Sequence, residues 1–219
     1  MDDHDSYKQI LLDSFTNSYQ TGKDLWSLDQ GLTDIAQLLL SRLSPDSPQH
    51  VLDIGTGNGR HAELFLAQGI RFTGIDLYRH RDWEKYERLY SDSATFVHSP
   101  FLDWNNPAAF TAILDNGCFH HQHPAEYGPY LKKIYQLLTD GGYLTLGLYA
   151  ANDHETIGRF EVMPSGKYRR YFTPVEIQSL LQENGFVCLQ VNKVLVKERN
   201  RYYLAALAQK PGKRGGGSV

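Results

Sequence analysis

Apolar residues recur at helical spacing where the chain opens: Tyr7, Ile10, Leu11, Phe15 and Tyr19 fall on one stripe, and a second amphipathic run covers 28–43. The segment "SPDSP" at 44–48 breaks that pattern, because its prolines and serines favour a turn over continued helix. From residue 50 the period changes. Short β-branched or apolar runs alternate with helical ones: strand 50–54, helix 58–68, strand 71–76, helix 82–90, strand 94–98, strand 111–115, helix 126–138 and strand 143–149. This alternation predicts a parallel sheet with helices on both faces. Gly69 is placed to close one helix and the pair Gly141-Gly142 another. "TPVE" at 173–176 is a capping box with proline at the first helical position, so a last helix is expected to run to about Asn184. "FVCLQVNKVLV" and "RYYLAALAQ", joined through "KERNR", then predict two antiparallel strands. The expectation is an α/β, doubly wound, mostly parallel sheet with a C-terminal antiparallel hairpin. Residues 1–48 form a helical cap of the same domain, 49–210 its core, and the glycine-rich 211–219 a disordered tail.

Composition adds exclusions. A chain of 219 residues suits one such domain, and 25 acidic against 22 basic side chains leave no basic footprint for duplex nucleic acid. Cys118 and Cys188 lie far apart in apolar surroundings, which predicts free thiols and a reducing compartment. The acidic start "MDDHDSYKQ" lacks the pattern of a secretory signal, and no apolar run approaches the ~20 residues of a membrane span. A cytoplasmic protein, monomer or homodimer, is expected.

The candidate chemistry sits in "VLDIGTGNGRHAELFLAQGIRFTGIDLY", residues 51–78. "GNGRHA" formally fits the dinucleotide fingerprint, with Asp76 about 20 residues on, where a ribose-binding acid belongs. The register D-x-G-x-G-x-G argues otherwise, since it puts Asp53 at the end of the first strand, expected to face the mouth of the sheet. A pyrophosphate on the helix N-terminus there would meet a like charge, at a gross Coulomb cost of several kcal/mol for charges ~4 Å apart. S-adenosylmethionine has no phosphate and carries an ammonium and a sulfonium. Asp53 can attract that cationic part, Gly55 and Gly57 admit backbone close to a ligand, and Asp76 can accept the ribose hydroxyls.

"VLDIGTGNGR" followed by "GIDLY" resembles the first two motifs of the class I S-adenosylmethionine-dependent methyltransferases, over roughly residues 50–208. The resemblance implies a seven-stranded Rossmann-like sheet of order 3-2-1-4-5-7-6. It also implies a cofactor seat of Asp53, Gly55, Thr56, Gly57, Gly59, Asp76 and Leu77, and an adenine contact in "HSPFLDW". The latter has Ser99, Pro100 and Phe101 where an acid is common and Asp103 further on. "YQTGKDLWSLDQG", "SPFLDW" and "ILDNGCFHHQHP" are more loosely similar to the thiopurine and tellurite methyltransferase branch. That likeness implies that Trp26 lies against the methionine end of the cofactor.

In an open α/β sheet the ligand lies beyond the strand ends where strand order reverses, here between the strands ending at Asp53 and Asp115. Asp115 and Asn116 are expected to serve the methionine portion, and His120 and His121 just beyond them to face an acceptor as base or orienting group. Adjacent histidines on one loop make a poor tetrahedral zinc set, so no metal is expected. The segment between the fifth strand and the last helix carries Arg159, Lys167, Arg169 and Arg170 with Tyr168 and Tyr171. A loop of that length is commonly a lid, and its cations would suit an anionic small-molecule acceptor. Methyl transfer to S, Se/Te, O or N is the leading expectation. A nicotinamide-dependent oxidoreductase and a non-catalytic S-adenosylmethionine-binding module are the alternatives.

Overall fold

The structure is a computed structural model that describes residues 3–24, 26–105, 108–197 and 200–212. The turn residues 198–199 and the tail 213–219 lie outside the described residues. Two helices, α1 (Asp3–Gln20) and α2 (Gln30–Leu40), precede the alternating core. That core runs β1 (His50–Ile54), α3 (Ala62–Leu66), β2 (Arg71–Asp76), α4 (Trp83–Leu89), β3 (Ala94–His98), β4 (Phe110–Asn116), α5 (Tyr127–Leu137) and β5 (Leu138–Tyr149). A small hairpin, β6 (Phe160–Val162) and β7 (Tyr168–Arg170), leads to α6 (Pro174–Glu183), β8 (Val187–Val196) and β9 (Arg201–Gln209).

Seven strands make one sheet in the order β3-β2-β1-β4-β5-β9-β8, while β6 and β7 pair separately. Numbering the sheet strands alone in chain order, β8 and β9 are strands six and seven, so the order reads 3-2-1-4-5-7-6; the extra hairpin is what changes the labels. Neighbours from β3 to β5 run parallel, and β9 is antiparallel to both β5 and β8. Both faces are apolar and both are covered. Ala36, Leu39, Phe65 and Leu66 of α2 and α3 pack with Val51, Phe72, Ala112 and Leu114 on one side. Leu131, Ile134, Ile177 and Leu181 of α5 and α6 pack with Leu52, Ile113, Leu144 and Leu204 on the other. Cys118 and Cys188 are free thiols, and no helix among the described residues is long and apolar enough to cross a membrane.

Three expectations change. The helix expected over 58–68 is α3 alone, because Gly55, Gly57 and Gly59 all hold positive φ and carry the chain in turns as far as His61. Its end is as expected: Gly69, at φ 74°, closes it with bonds from the Gly69 and Ile70 N–H groups back to Leu66 and Phe65. Gly141-Gly142 does not close α5. That helix ends at Leu137, and the buried Leu138 opens a bulged β5 opposite Phe110, with the glycine pair bonded to Lys210 beyond β9. The long segment after β5 is a structured hairpin rather than a bare loop, anchored by Glu176. Glu176 completes the capping box with Thr173 and also accepts from Gly158 N–H (2.9 Å) and Arg170 Nη2 (2.6 Å).

Candidate active site

A cavity of about 250 Å³ opens beyond the carboxyl ends of β1 and β4, where the connections leave for opposite faces. Its floor is the glycine loop. A Cβ on Gly57 would sit 2.5 Å from Tyr19 Oη, and one on Gly55 2.8 Å from the Cys118 Cβ, so both positions are confined to glycine by neighbours as well as by φ. Gly59 instead packs toward Tyr86 and Phe96, away from the cavity.

Three carboxylates end adjacent strands. Asp76, on the cavity wall, accepts from Gly57 N–H (2.8 Å) and Tyr78 N–H (2.9 Å). Burial, with the charge of Asp53 adding to it, pushes its carboxyl up to about 6 against the lowering backbone hydrogen bonds from Tyr78, Gly57 and Leu77. Asp53 departs from expectation: it does not face the mouth but lies buried beneath the loop. There it accepts from Thr56 Oγ1 (2.9 Å) and sits 3.7 Å from His61 Nδ1. Burial and the neighbouring Arg60 cation hold His61 below its usual range, so that contact is between a carboxylate and a neutral ring. Asp115 is likewise turned inward. It gathers the Cys118 and Phe119 N–H groups (2.9 and 3.0 Å) and the Tyr130 hydroxyl (2.5 Å), and burial raises its carboxyl to about 6.

Arg60 is the buried cation among these acids. Its guanidinium donates to the carbonyls of Trp26 (2.5 Å) and Asn116 (3.0 Å) and to His61 Nε2 (3.1 Å). Burial lowers its affinity for the proton, which the charge of Asp53 partly restores. Asn116 donates to the Leu32 carbonyl (2.6 Å), while its own Oδ1 is enclosed without a hydrogen-bond partner.

The opposite end of the cavity is aromatic and basic. His120 and His121 lie there on a 3-10 turn, with the His120 ring 3.9 Å from the Tyr149 ring and tilted 31° to it, and Tyr149 paired across the sheet with Tyr203. His121 Nδ1 meets the Tyr168 carbonyl at 2.8 Å. A carbonyl only accepts, so Nδ1 carries the proton and Nε2 is the basic nitrogen of the neutral ring. Above them, α1 forms a roof: Phe15, Ser18 and Tyr19 line the cavity, and Tyr19 stacks on Tyr78 at 5.0 Å and accepts from Trp26 Nε1. Tyr7 stitches roof to walls by donating to the His121 carbonyl (2.5 Å) and accepting from Tyr168 N–H (2.9 Å). The hairpin contributes Lys167, whose ammonium lies 4.4 Å from the Phe15 ring, and Arg169, over the Tyr149 ring. Arg159 pairs with Glu161 and Arg170 with Glu176 instead.

Of the site residues expected from the sequence, Trp26, Gly55, Thr56, Gly57, Asp76, Leu77, Asn116, His120 and His121 line this cavity. Asp53, Gly59 and Asp115 support it from behind. Ser99, Pro100 and Phe101 do not reach it: Phe101 is buried against Tyr130 (4.8 Å), and Pro100 and Phe101 line a separate pocket of about 40 Å³ that shares only Leu77 with the first. Asp103 pairs with Lys8 of α1 (3.0 Å). Phe15, Tyr19, Arg60, Tyr149 and Tyr203 also line the cavity; no motif in the sequence marks them as site residues, although Phe15 and Tyr19 belong to the apolar stripe of α1. Among the described residues there is no cluster of histidine, cysteine or acidic side chains arranged to hold a metal.

A glycine loop under a desolvated acid, at the switch point of a 3-2-1-4-5-7-6 sheet, defines a nucleoside-binding α/β enzyme of the Rossmann-like kind. Within that class the chain belongs to the methyltransferase-domain family, whose model matches residues 29–191. It is similar to the Burkholderia thailandensis 1,6-didemethyltoxoflavin-N1-methyltransferase, solved with 1,6-didemethyltoxoflavin and S-adenosylhomocysteine bound. The two are 31% identical over 96% of this chain and 92% of that one, with a TM-score of 0.89. The glycopeptide N-methyltransferase MtfA, solved with S-adenosyl-L-methionine, shares the fold at 17% identity and a TM-score of 0.64 over 83% and 94% of the two chains. So does the [4+2]-cyclase SpnF, at 17% and 0.67 over 82% and 80%. No curated protein matches the chain. The family makes this a class I S-adenosylmethionine-dependent methyltransferase, which sets the nicotinamide alternative aside.

Proposed function

We propose that the enzyme methylates a ring nitrogen of a small, flat, nitrogen-rich heterocycle. The observation that carries this reading is the acceptor end of the cavity, where two histidines and two cations stand among aromatic walls. The Burkholderia relative, with its bound heterocycle, supports the acceptor class.

The residues present suit S-adenosylmethionine. Asp76 would accept the ribose hydroxyls, Arg60 would meet the carboxylate of the methionine portion, and Asn116 would line that end of the seat. Asp53 acts at a distance, as buried negative charge that holds Thr56 and offsets Arg60. When bound, the cofactor supplies an electrophilic methyl group whose sulfonium charge is lost on transfer. The chain's work is alignment and exclusion of water: the Tyr149, Tyr203 and Phe15 rings hold a flat acceptor, and the α1 roof keeps solvent out. His121, fixed in its Nδ1–H form by the Tyr168 carbonyl, takes the ring proton at Nε2. His120, held against the Tyr149 ring, orients the acceptor.

A mass-spectrometric screen of N-heterocycles, thiols, phenols and chalcogen oxyanions tests the reading. We expect a gain of one methyl on nitrogen, and a loss of about 10²–10⁴-fold in kcat for His121→Ala that exceeds the loss for His120→Ala. Methylation of thiols or oxyanions alone would overturn it and favour the thiopurine and tellurite likeness.

A further inference from the structure

Glu161 is the carboxylate that the structure sets against Arg169, 3.8 Å from Nη1, and Arg159 holds that same carboxylate closer, at 3.0 Å. Arg169 Nη1 reaches the Tyr171 hydroxyl only at 3.5 Å, and its Nε is enclosed with no hydrogen-bond partner. The next residue shows what satisfaction looks like: Arg170 has Glu176 at 2.6 Å and the Gly158 carbonyl at 2.5 Å. A guanidinium so poorly supplied with acceptors is costly, and because Arg169 lines the cavity its Nη groups can be offered to an oxygen on the ligand. Lys167 adds a second cation to the wall, and Arg201 a third behind it, 5.0 Å from the Tyr149 ring. The groups that face this corner are therefore Glu161, Tyr149, Tyr171, Arg201, Lys167 and His121, in which the cations outnumber the one carboxylate.

We propose that Arg169, aided by Lys167, selects acceptors whose reactive ring N–H is acidic, of the imide or lactam type, and binds them as conjugate bases through a carbonyl oxygen. This assignment rests on the heterocycle reading above. The ring N–H proton passes to His121 Nε2, and the charge left behind delocalises onto the oxygen held by the guanidinium. The acceptor nitrogen then forms the N–CH3 bond while the S–CH3 bond breaks, its electron pair returning to sulfur, and the imidazolium releases its proton to solvent. A neutral heterocycle without an acidic N–H gains nothing from the cation and is a poor acceptor.

The test uses the full-length enzyme, a panel of lumazine, xanthine and 1,6-didemethyltoxoflavin, and the variants Arg169→Gln and Arg169→Lys. In the complex with S-adenosylhomocysteine, absorbance titration reads the ionisation of the bound heterocycle. We expect the wild type to shift it toward the anion by at least tenfold, Arg169→Gln to abolish that shift, and Arg169→Lys to restore part of it. The kcat/KM for the fastest acceptor should fall about 100-fold in Arg169→Gln, with S-adenosylhomocysteine affinity unchanged within threefold. Unaltered kcat/KM in Arg169→Gln, or a loss with the ionisation shift intact, overturns the assignment and leaves the proposed function standing. A wild type that binds S-adenosylmethionine but methylates no heterocycle overturns both.

Discussion

At the scale of single residues, the decisive groups are acids whose surroundings oppose their charge. Asp76 is held up near 6 by burial and by Asp53 behind it. In the proposed seat a ribose hydroxyl would donate to the ionised form, so S-adenosylmethionine affinity should be constant above pH 6 and fall by about tenfold per unit as pH drops through 6, with proton release on binding. Calorimetry in buffers of different ionisation enthalpy reads both. Asp76→Asn should weaken binding at pH 7.5 by about 1.5–3 kcal/mol, the range for hydrogen bonds to a charged group. An affinity flat from pH 5 to 8 counts against the assignment. The sequence exposed the positions of these acids but not their directions. D-x-G-x-G-x-G marked Asp53 correctly as a strand-end acid, yet the left-handed glycines fold the loop over it, and that is a property of φ rather than of composition. Arg60 escaped notice for a related reason, since its partners Trp26, Asn116 and His61 come together only when three segments meet.

At the scale of elements, the cavity is roofed by α1 and by the β6–β7 hairpin, whose two strands pair with each other. The hydroxyl of Tyr7 joins α1, the His121 turn and β7. Tyr7→Phe should cost about 1 kcal/mol of stability per hydrogen bond lost, with faster amide exchange at Tyr168 than in the wild type. Glu176 does comparable work from α6. Its carboxyl is pushed up by burial but held lower overall by the Thr173 and Gly158 N–H groups and Arg170. Glu176→Gln should loosen the β6–β7 hairpin and raise acceptor KM more than the Kd for S-adenosylmethionine; equal changes in both would contradict this division of labour. The capping box was legible because its two residues lie in one helical turn. The hairpin was not, since "RFEV" and "KYRR" alternate too briefly to be told from loop, and their pairing needs Glu176 and Tyr7 from distant elements. Likewise the glycine pair 141–142 looked like a helix stop, and the burial of Leu138 decided otherwise.

At the scale of the whole molecule, the alternation of strand and helix and the antiparallel end of the sheet were legible in the apolar periods and the short last connection, whereas the order of the strands was implied only by the resemblance of the glycine motifs. The sheet's energetics carry a pH signature. Asp76 and Asp115 both titrate near 6 in the folded protein against an ordinary 3.8, so the folded state keeps protons that the unfolded chain has released. Their contribution is fully present below about pH 4 and is lost as pH rises through 6. Wild type should therefore lose more stability between pH 5 and 7.5 than Asp115→Asn, by roughly 1–2 kcal/mol or a few degrees in Tm. Superimposable curves for the two proteins would remove Asp115 as the source.

The roof has a consequence for how such enzymes diversify. Phe15, Tyr19, Lys167 and Arg169 stand on α1 and the hairpin, while the proposed seat for the donor stands on strand ends. Under the proposed placement, changes confined to these two coverings would reshape one side of the acceptor's berth, while Tyr149, Tyr203 and the strand ends beneath stayed as they are.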